Sequence, residues 1–234
     1  MKRNVEIQTF NDSEITVPEG VTHNLFPTPV KLFELAEPGL NTELGAFFTS
    51  HPRFSETDQA QMADVTTLME YAEDVPALAR LEQLFLAGLE SYCRDIGWQG
   101  EFDLDMQMFP NVSPGGHYVP SHNHVSHISA VYYVHTEPSA RPLLVSDESI
   151  SDYWRPDEGA LILHDPRFNA SLMGGWHQHA KVFPRPGVMI FFPSFLWHEV
   201  TPHRAKEPRL SVAANFSLTY RNVPAYERRH RFSC

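Results

Sequence analysis

His-Tyr-Val-Pro-Ser-His-Asn-His-Val-Ser-His-Ile-Ser-Ala-Val-Tyr-Tyr-Val-His, residues 117 to 135, sets two imidazoles at the mouth of a β-branched and aromatic run, Ile128 to Val134. Side chains on a strand alternate between its faces, so residues two apart share one. If extended chain begins at Pro120, His122 and His124 project together into whatever the sheet encloses. Two neutral imidazoles converging in this way make half of a metal site. A third ligand must then come from a distant strand. The candidate is His198, which follows the hydrophobic run and Pro-Ser turn of Val188 to Ser194. Farther on, Arg209 and Ser211 stand two apart in a β-prone run and share a face by the same parity.

The pattern on either side of this stretch is a series of short β-runs punctuated by Gly, Pro and Asn. Strands are expected near 103–109, 117–121, 126–135, 141–146, 159–163, 181–184, 187–192, 195–201 and 208–218. Short strands without helical pattern between them predict a jelly roll, a double-stranded β-helix of two facing sheets. N-terminal to it, Leu78, Leu81, Leu84, Phe85, Leu89, Tyr92 and Cys93 recur at spacings of three and four. That stripe predicts a helix over 75–98 with Gly97 as its stop, packed on the back of a sheet. Asn41 is a plausible N-cap for a second helix through Leu44, Phe47 and Phe48. The expected class is therefore mainly β with a helical extension. Residues 1–100 would form an N-terminal segment with helices packing on the barrel, 101–220 the jelly-roll core, and 221–234 a basic tail, all within one structural domain.

Charge is uneven. Residues 1 to 100 hold 16 acids and 6 bases, and residues 101 to 234 hold 13 and 12, for a net charge of −11. An acidic N-terminal half argues against nucleic acid or an anionic membrane as partner. The two cysteines, Cys93 and Cys234, give no disulfide framework, and no signal peptide or membrane-spanning run is evident. A cytoplasmic protein is the expectation. An exposed jelly-roll edge or the helices would also support a homodimer.

The order of the motifs resembles the 2-oxoglutarate and Fe(II)-dependent dioxygenases. There a His-X-Asp/Glu pair on one strand is followed by a distal His and then by an Arg-X-Ser pair. More narrowly, residues 109 to 218 are similar to a group of uncharacterised bacterial and phage 2OG-Fe(II) oxygenases. The shared pattern is Asn111, Gly116, His122-Asn123-His124, Ser129 to Val134, Asp165-Pro166-Arg167, and Phe192-Pro193-Ser194 with His198. This resemblance implies Fe(II), 2-oxoglutarate and O₂ as metal, cosubstrate and oxidant. It implies His122, His124 and His198 as metal ligands, a use to which imidazole is suited. Arg209, whose guanidinium fork matches a carboxylate, and Ser211 would hold the far carboxylate of 2-oxoglutarate. Tyr132 shares the parity of His124 along an uninterrupted strand and is a further candidate for that carboxylate, beside the alternative of a core tyrosine.

His124 departs from the superfamily, which has Asp or Glu there. Either His124 ligates, or a carboxylate from elsewhere, such as Asp165 or Glu199, completes the set. The expected reaction is hydroxylation of an unactivated C–H in a small-molecule or peptide substrate, with release of succinate and CO₂. The alternatives are a three-histidine cupin-type iron dioxygenase that does not use 2-oxoglutarate, and a non-catalytic jelly-roll binding protein. Substrate contacts are expected from Asn111, Trp154, Arg167 and Trp176. The two tryptophans lie in stretches, 146–158 and 169–179, that read as loops over the barrel mouth.

Overall fold

A computed structural model describes residues 27–55, 68–98, 100–137, 139–145, 159–167 and 179–221. Ten strands form two antiparallel five-stranded sheets. They are β1 (Lys31–Glu34), β2 (Phe102–Ser113), β3 (Val119–His122), β4 (Ile128–His135), β5 (Leu144–Val145), β6 (Leu161–His164), β7 (His179–Val182), β8 (Val188–Pro193), β9 (His198–Val200) and β10 (Arg209–Tyr220). The major sheet runs β1-β8-β4-β10-β2 and the minor sheet β3-β9-β6-β7-β5. With the edge strands β1 and β5 set aside, one sheet takes the first, eighth, third and sixth of the remaining strands. The other takes the second, seventh, fourth and fifth. Neighbouring strands thus come from opposite ends of the barrel sequence, the interleaving of a jelly roll.

The outer face of the major sheet is apolar because every second residue of its strands is. Ile128, Ala130, Tyr132 and Val134 of β4, Met189 and Phe191 of β8, and Leu210, Val212, Ala214 and Phe216 of β10 join one buried cluster. On this face lie α1 (Pro38–Ser50), the single turn α2 (Pro52–Ser55) and α3 (Pro76–Asp95), which contribute Leu40, Leu44, Phe48, Phe54, Leu78, Leu81, Phe85 and Leu89. Phe191 is the central contact. Phe85 meets it edge-on with ring centroids 6.4 Å apart, and Tyr92 stacks on it at 6.0 Å. The helix approaches so closely that a Cβ on Gly88 would stand 2.6 Å from the Phe191 ring. Only a residue without a side chain admits that approach.

The expected helix over 75–98 is present and slightly shorter. Its chain turns at Gly97, where φ is +76°, and Trp98 N–H donates to Cys93 O at 2.8 Å. This is the left-handed C-terminal stop that glycine favours. Three details differ from expectation. Asn41 lies within α1, which begins three residues earlier with Pro38 at its first position. The fixed φ of proline suits that position, where its missing N–H costs nothing. Strand β1 was not expected, because Lys-Leu-Phe-Glu is too short to show a period. Strand β9 begins at His198 rather than near 195, since Pro193 to Leu196 close a turn through Leu196 N–H to Pro193 O at 3.0 Å.

Candidate metal and cosubstrate site

The inner faces of the two sheets enclose a cavity of about 600 Å³, counted out to its open mouth. At the mouth, His122 ends β3 and His198 begins β9, and the two are register partners within the minor sheet. His124 lies just beyond β3, where its backbone N–H donates to Ser194 O at 2.9 Å. It is therefore not on the same regular strand as His122, yet its ring still turns inward. One ring nitrogen from each of His122, His124 and His198 lies within 4.8 Å of the others, so the three could hold a metal ion. Ring centroids are 4.3 Å apart for His122 and His198, 5.0 Å for His122 and His124, and 5.1 Å for His124 and His198.

Hydrogen bonds fix which nitrogen is free. His122 Nδ1 is 2.7 Å from Pro120 O, and His198 Nδ1 is 2.9 Å from Leu196 O. A carbonyl oxygen only accepts, so Nδ1 carries the proton in both rings and each Nε2 keeps its lone pair. Burial, then the neighbouring His122, lowers the pKa of His124 to about 4. Burial likewise lowers that of His198 to about 4, against the Leu196 hydrogen bond and with His122, His124 and His164 adding to the fall. Both rings are neutral at pH 7, the protonation state in which imidazole ligates metals.

The two carboxylates weighed as substitutes for His124 are directed elsewhere. Glu199 follows His198 on the opposite face of β9, where its Oε2 accepts from Tyr118 Oη at 2.6 Å. Asp165 Oδ2 accepts from Arg167 Nη2 at 2.7 Å. Among the described residues, the three histidines form the one group able to offer three ligand atoms within mutual reach.

Deeper in the cavity is Arg209, 5% exposed. Its Nη1 donates to Gly159 O and its Nη2 to Ser113 Oγ, each at 3.2 Å, while its buried Nε finds no acceptor among the described residues. The site thus holds a desolvated guanidinium that is only partly satisfied by neutral groups, an expensive arrangement unless an anion joins it. Burial lowers its pKa, and the nearby Tyr133 phenol opposes the fall. The same burial pushes the pKa of Tyr133 up to about 12. Gly159 closes this end of the cavity at φ +63°, where a Cβ would come within 3.1 Å of His203 Cβ.

Of the other expected residues, Ser211 and Asn111 line the cavity as register partners on β10 and β2. Tyr132 does not. It points to the outer face and donates to Asn41 Oδ1 at 2.6 Å. The chain between His124 and Ile128 is a turn, so parity does not carry across it, and Tyr133 is the tyrosine that faces inward. Arg167 is engaged with Asp165 and does not line the cavity. Trp154 and Trp176 lie outside the described residues. Sequence reasoning missed Ser113, Ser129, Tyr133 and Asn215, all of which line the cavity. Asn215 was within reach, because it shares the parity of Arg209 and Ser211.

The jelly roll thus carries three imidazoles at its mouth and a buried guanidinium behind them. Residues 107–215, which cover β3 to β9 and most of β2 and β10, match the family described as "Putative 2OG-Fe(II) oxygenase". That segment, a little under half of the chain, is thus similar to the family, in line with the resemblance carried by its motifs. A prolyl hydroxylase from Trichoplax adhaerens, solved with a hypoxia-inducible-factor peptide fragment, is similar in fold at 15% identity. The match covers 88% of this chain and 87% of that one, with a TM-score of 0.50. A Pseudomonas putida prolyl-4-hydroxylase aligns at 21% identity over 81% and 88% of the two chains, with a TM-score of 0.49. HygX from Streptomyces hygroscopicus, solved with nickel and 2-oxoglutarate, aligns at 13% identity over 81% and 82%, with a TM-score of 0.49. No curated protein sequence matches the chain.

Proposed function

We propose that this protein is an Fe(II)- and 2-oxoglutarate-dependent oxygenase that hydroxylates an unactivated C–H of a small-molecule or peptide substrate. The observation that carries the reading is the pairing of two unsatisfied features in one cavity. Three imidazoles converge at its mouth, and deeper in waits a buried arginine whose Nε–H has no acceptor among the described residues. A dicarboxylate with a keto acid at one end answers both.

In this reading His122, His124 and His198 hold the ferrous ion. When bound, iron with O₂ and the keto acid supplies the oxidising chemistry, and cosubstrate decarboxylation to succinate accompanies it. The protein's own task is placement. Backbone carbonyls 120 and 196 hold two rings with Nε2 facing inward. Arg209 meets the far carboxylate through a charge-assisted fork, with Ser211 as a further hydroxyl donor. The low-dielectric walls of Phe109, Val131, Leu161, Phe192 and Val200 strengthen that pairing by excluding water. Three neutral ligands leave the full charge of the metal in place, which strengthens its pull on an anionic cosubstrate.

Anaerobic addition of Fe(II) and 2-oxoglutarate is expected to give a weak visible charge-transfer band, and admission of air to give succinate. Loss of both outcomes sinks the proposal. The three-histidine set also favours a second reading, a cupin-type iron dioxygenase that needs no keto acid. Replacing Arg209 with Ala separates them, because only the first reading depends on the guanidinium.

A further inference from the structure

The three imidazoles are not held alike. His122 and His198 each give Nδ1–H to a backbone carbonyl. Among the described residues, no carbonyl accepts from His124. Its Nδ1 lies 3.5 Å from Asn215 Nδ2, and its Nε2 lies 3.3 Å from His198 Nε2. An amide has two different ends. With its NH₂ toward the ring, Nδ1 accepts and the proton sits on Nε2, where it faces His198 and blocks ligation. With its oxygen toward the ring, Nδ1 donates and Nε2 is left with the lone pair a metal requires.

What turns the amide lies behind it. Ser129 Oγ donates to Asn215 Oδ1 at 3.0 Å, so the amide lies with its NH₂ toward the ring in the metal-free chain and must reverse for the metal. Ser129 Oγ is also 2.8 Å from Ser194 Oγ, which is in turn 2.8 Å from Ser126 Oγ. Asn215 and Ser129 are register partners on β10 and β4, so the pleat holds them opposite each other. Ser129 is 3% exposed and Ser194 is fully buried, which keeps water from replacing either partner. A hydroxyl both donates and accepts, so the serine chain supports either amide orientation as a complete set of hydrogen bonds. The ring, the amide and the three hydroxyls therefore reverse together or not at all.

We propose that Asn215 is the positioning residue for His124, and that its amide, turned by the Ser129–Ser194–Ser126 chain, selects the imidazole tautomer that can bind the metal. This rests on the reading of His124 as a ligand. A carboxylate ligand needs no such partner to present a lone pair, whereas an imidazole does. Groups that orient a metal-binding imidazole typically account for about 10- to 100-fold in affinity.

Co(II) titration of the chelator-treated full chain, followed by visible d–d absorption against a competing chelator, measures this without turnover. Asn215→Ala is expected to weaken Co(II) binding by roughly 10- to 100-fold. Asn215→Asp, nearly isosteric and able only to accept, is expected to bind at least as tightly as wild type with the same band position. Ser129→Ala is expected to fall between wild type and Asn215→Ala. Nitrogen-15 shifts of the His124 ring in the Zn(II) form should report Nδ1–H in wild type and Asn215→Asp. Wild-type affinity in Asn215→Ala overturns the proposal. So does a loss beyond about tenfold in Asn215→Asp, which tests the idea even if the alanine variant does not fold. Absence of Co(II) binding by wild type itself is a different result, and removes the metal reading together with this one.

Discussion

The two faces of the major sheet answer opposite demands with the same strands. Outward, Phe191, Phe216 and Tyr132 meet α1 and α3 in a dry layer where the Tyr132 phenol has its acceptor, Asn41 Oδ1. Inward, Arg209, Ser211, Asn215 and Tyr133 surround a cavity in which donors are left incomplete. The first face is finished and the second is waiting. Stability should therefore respond to substitutions on one side, and ligand binding to those on the other.

The sharpest way to break that contrast is His198→Ala. Removing a ligand that is 5% exposed should reduce Co(II) affinity by at least about 100-fold and bring succinate formation to background. The thermal midpoint of the metal-free form should barely move. A variant that keeps its metal would show that the cluster is ordinary core. Phe191→Ala should do the reverse, costing about 3–5 kcal/mol in denaturant unfolding and leaving the metal affinity of the folded fraction unchanged.

Arg209→Ala sharpens the contrast further. It should raise the 2-oxoglutarate KM by roughly 30- to 100-fold, the worth of a charge-assisted pair. Metal-free stability should hold or rise, because the substitution removes a buried charge that has no counter-ion among the described residues. A fall in both would mean that the guanidinium is structural. At the small end, Tyr132→Phe should cost about 1 kcal/mol of stability and leave the KM alone, whereas Tyr133→Phe should act on the KM.

Acid provides an independent check. The folded pKa values of His124 and His198, about 4, lie below the ordinary histidine value of 6.5. The unfolded chain then binds protons that the folded chain refuses, so metal-free stability should fall as pH drops from about 6.5 toward 4. His198→Ala should flatten that slope in urea titrations at several pH values.

Much of this was legible in the sequence, for identifiable reasons. Alternation within Arg209 to Asn215 survives because β10 is one unbroken strand, so its inward row could be read directly. Alternation from His124 to Tyr132 does not survive, because the turn at 125–127 resets the parity, and the wrong member of a tyrosine pair was favoured. The third histidine was found through a motif rather than a period, since β9 is only three residues long. Gly159 and Ser113 were out of reach. They take part through main-chain and hydroxyl contacts to Arg209 that only the closed barrel creates.

The turn at 125–127 also has a mechanical side. His122 and His198 belong to the minor sheet, while His124 is tied through Ser194 and Asn215 to the ends of β8 and β10 in the major one. An ion seated among them would pin two jaws otherwise held by packing, short connections and hydrogen bonds such as that from Arg209 Nη1 to Gly159 O. Stripping that pin would let the jaws part at the lip while the aromatic layer behind stayed shut, so grip on the keto acid should be lost well before the protein melts.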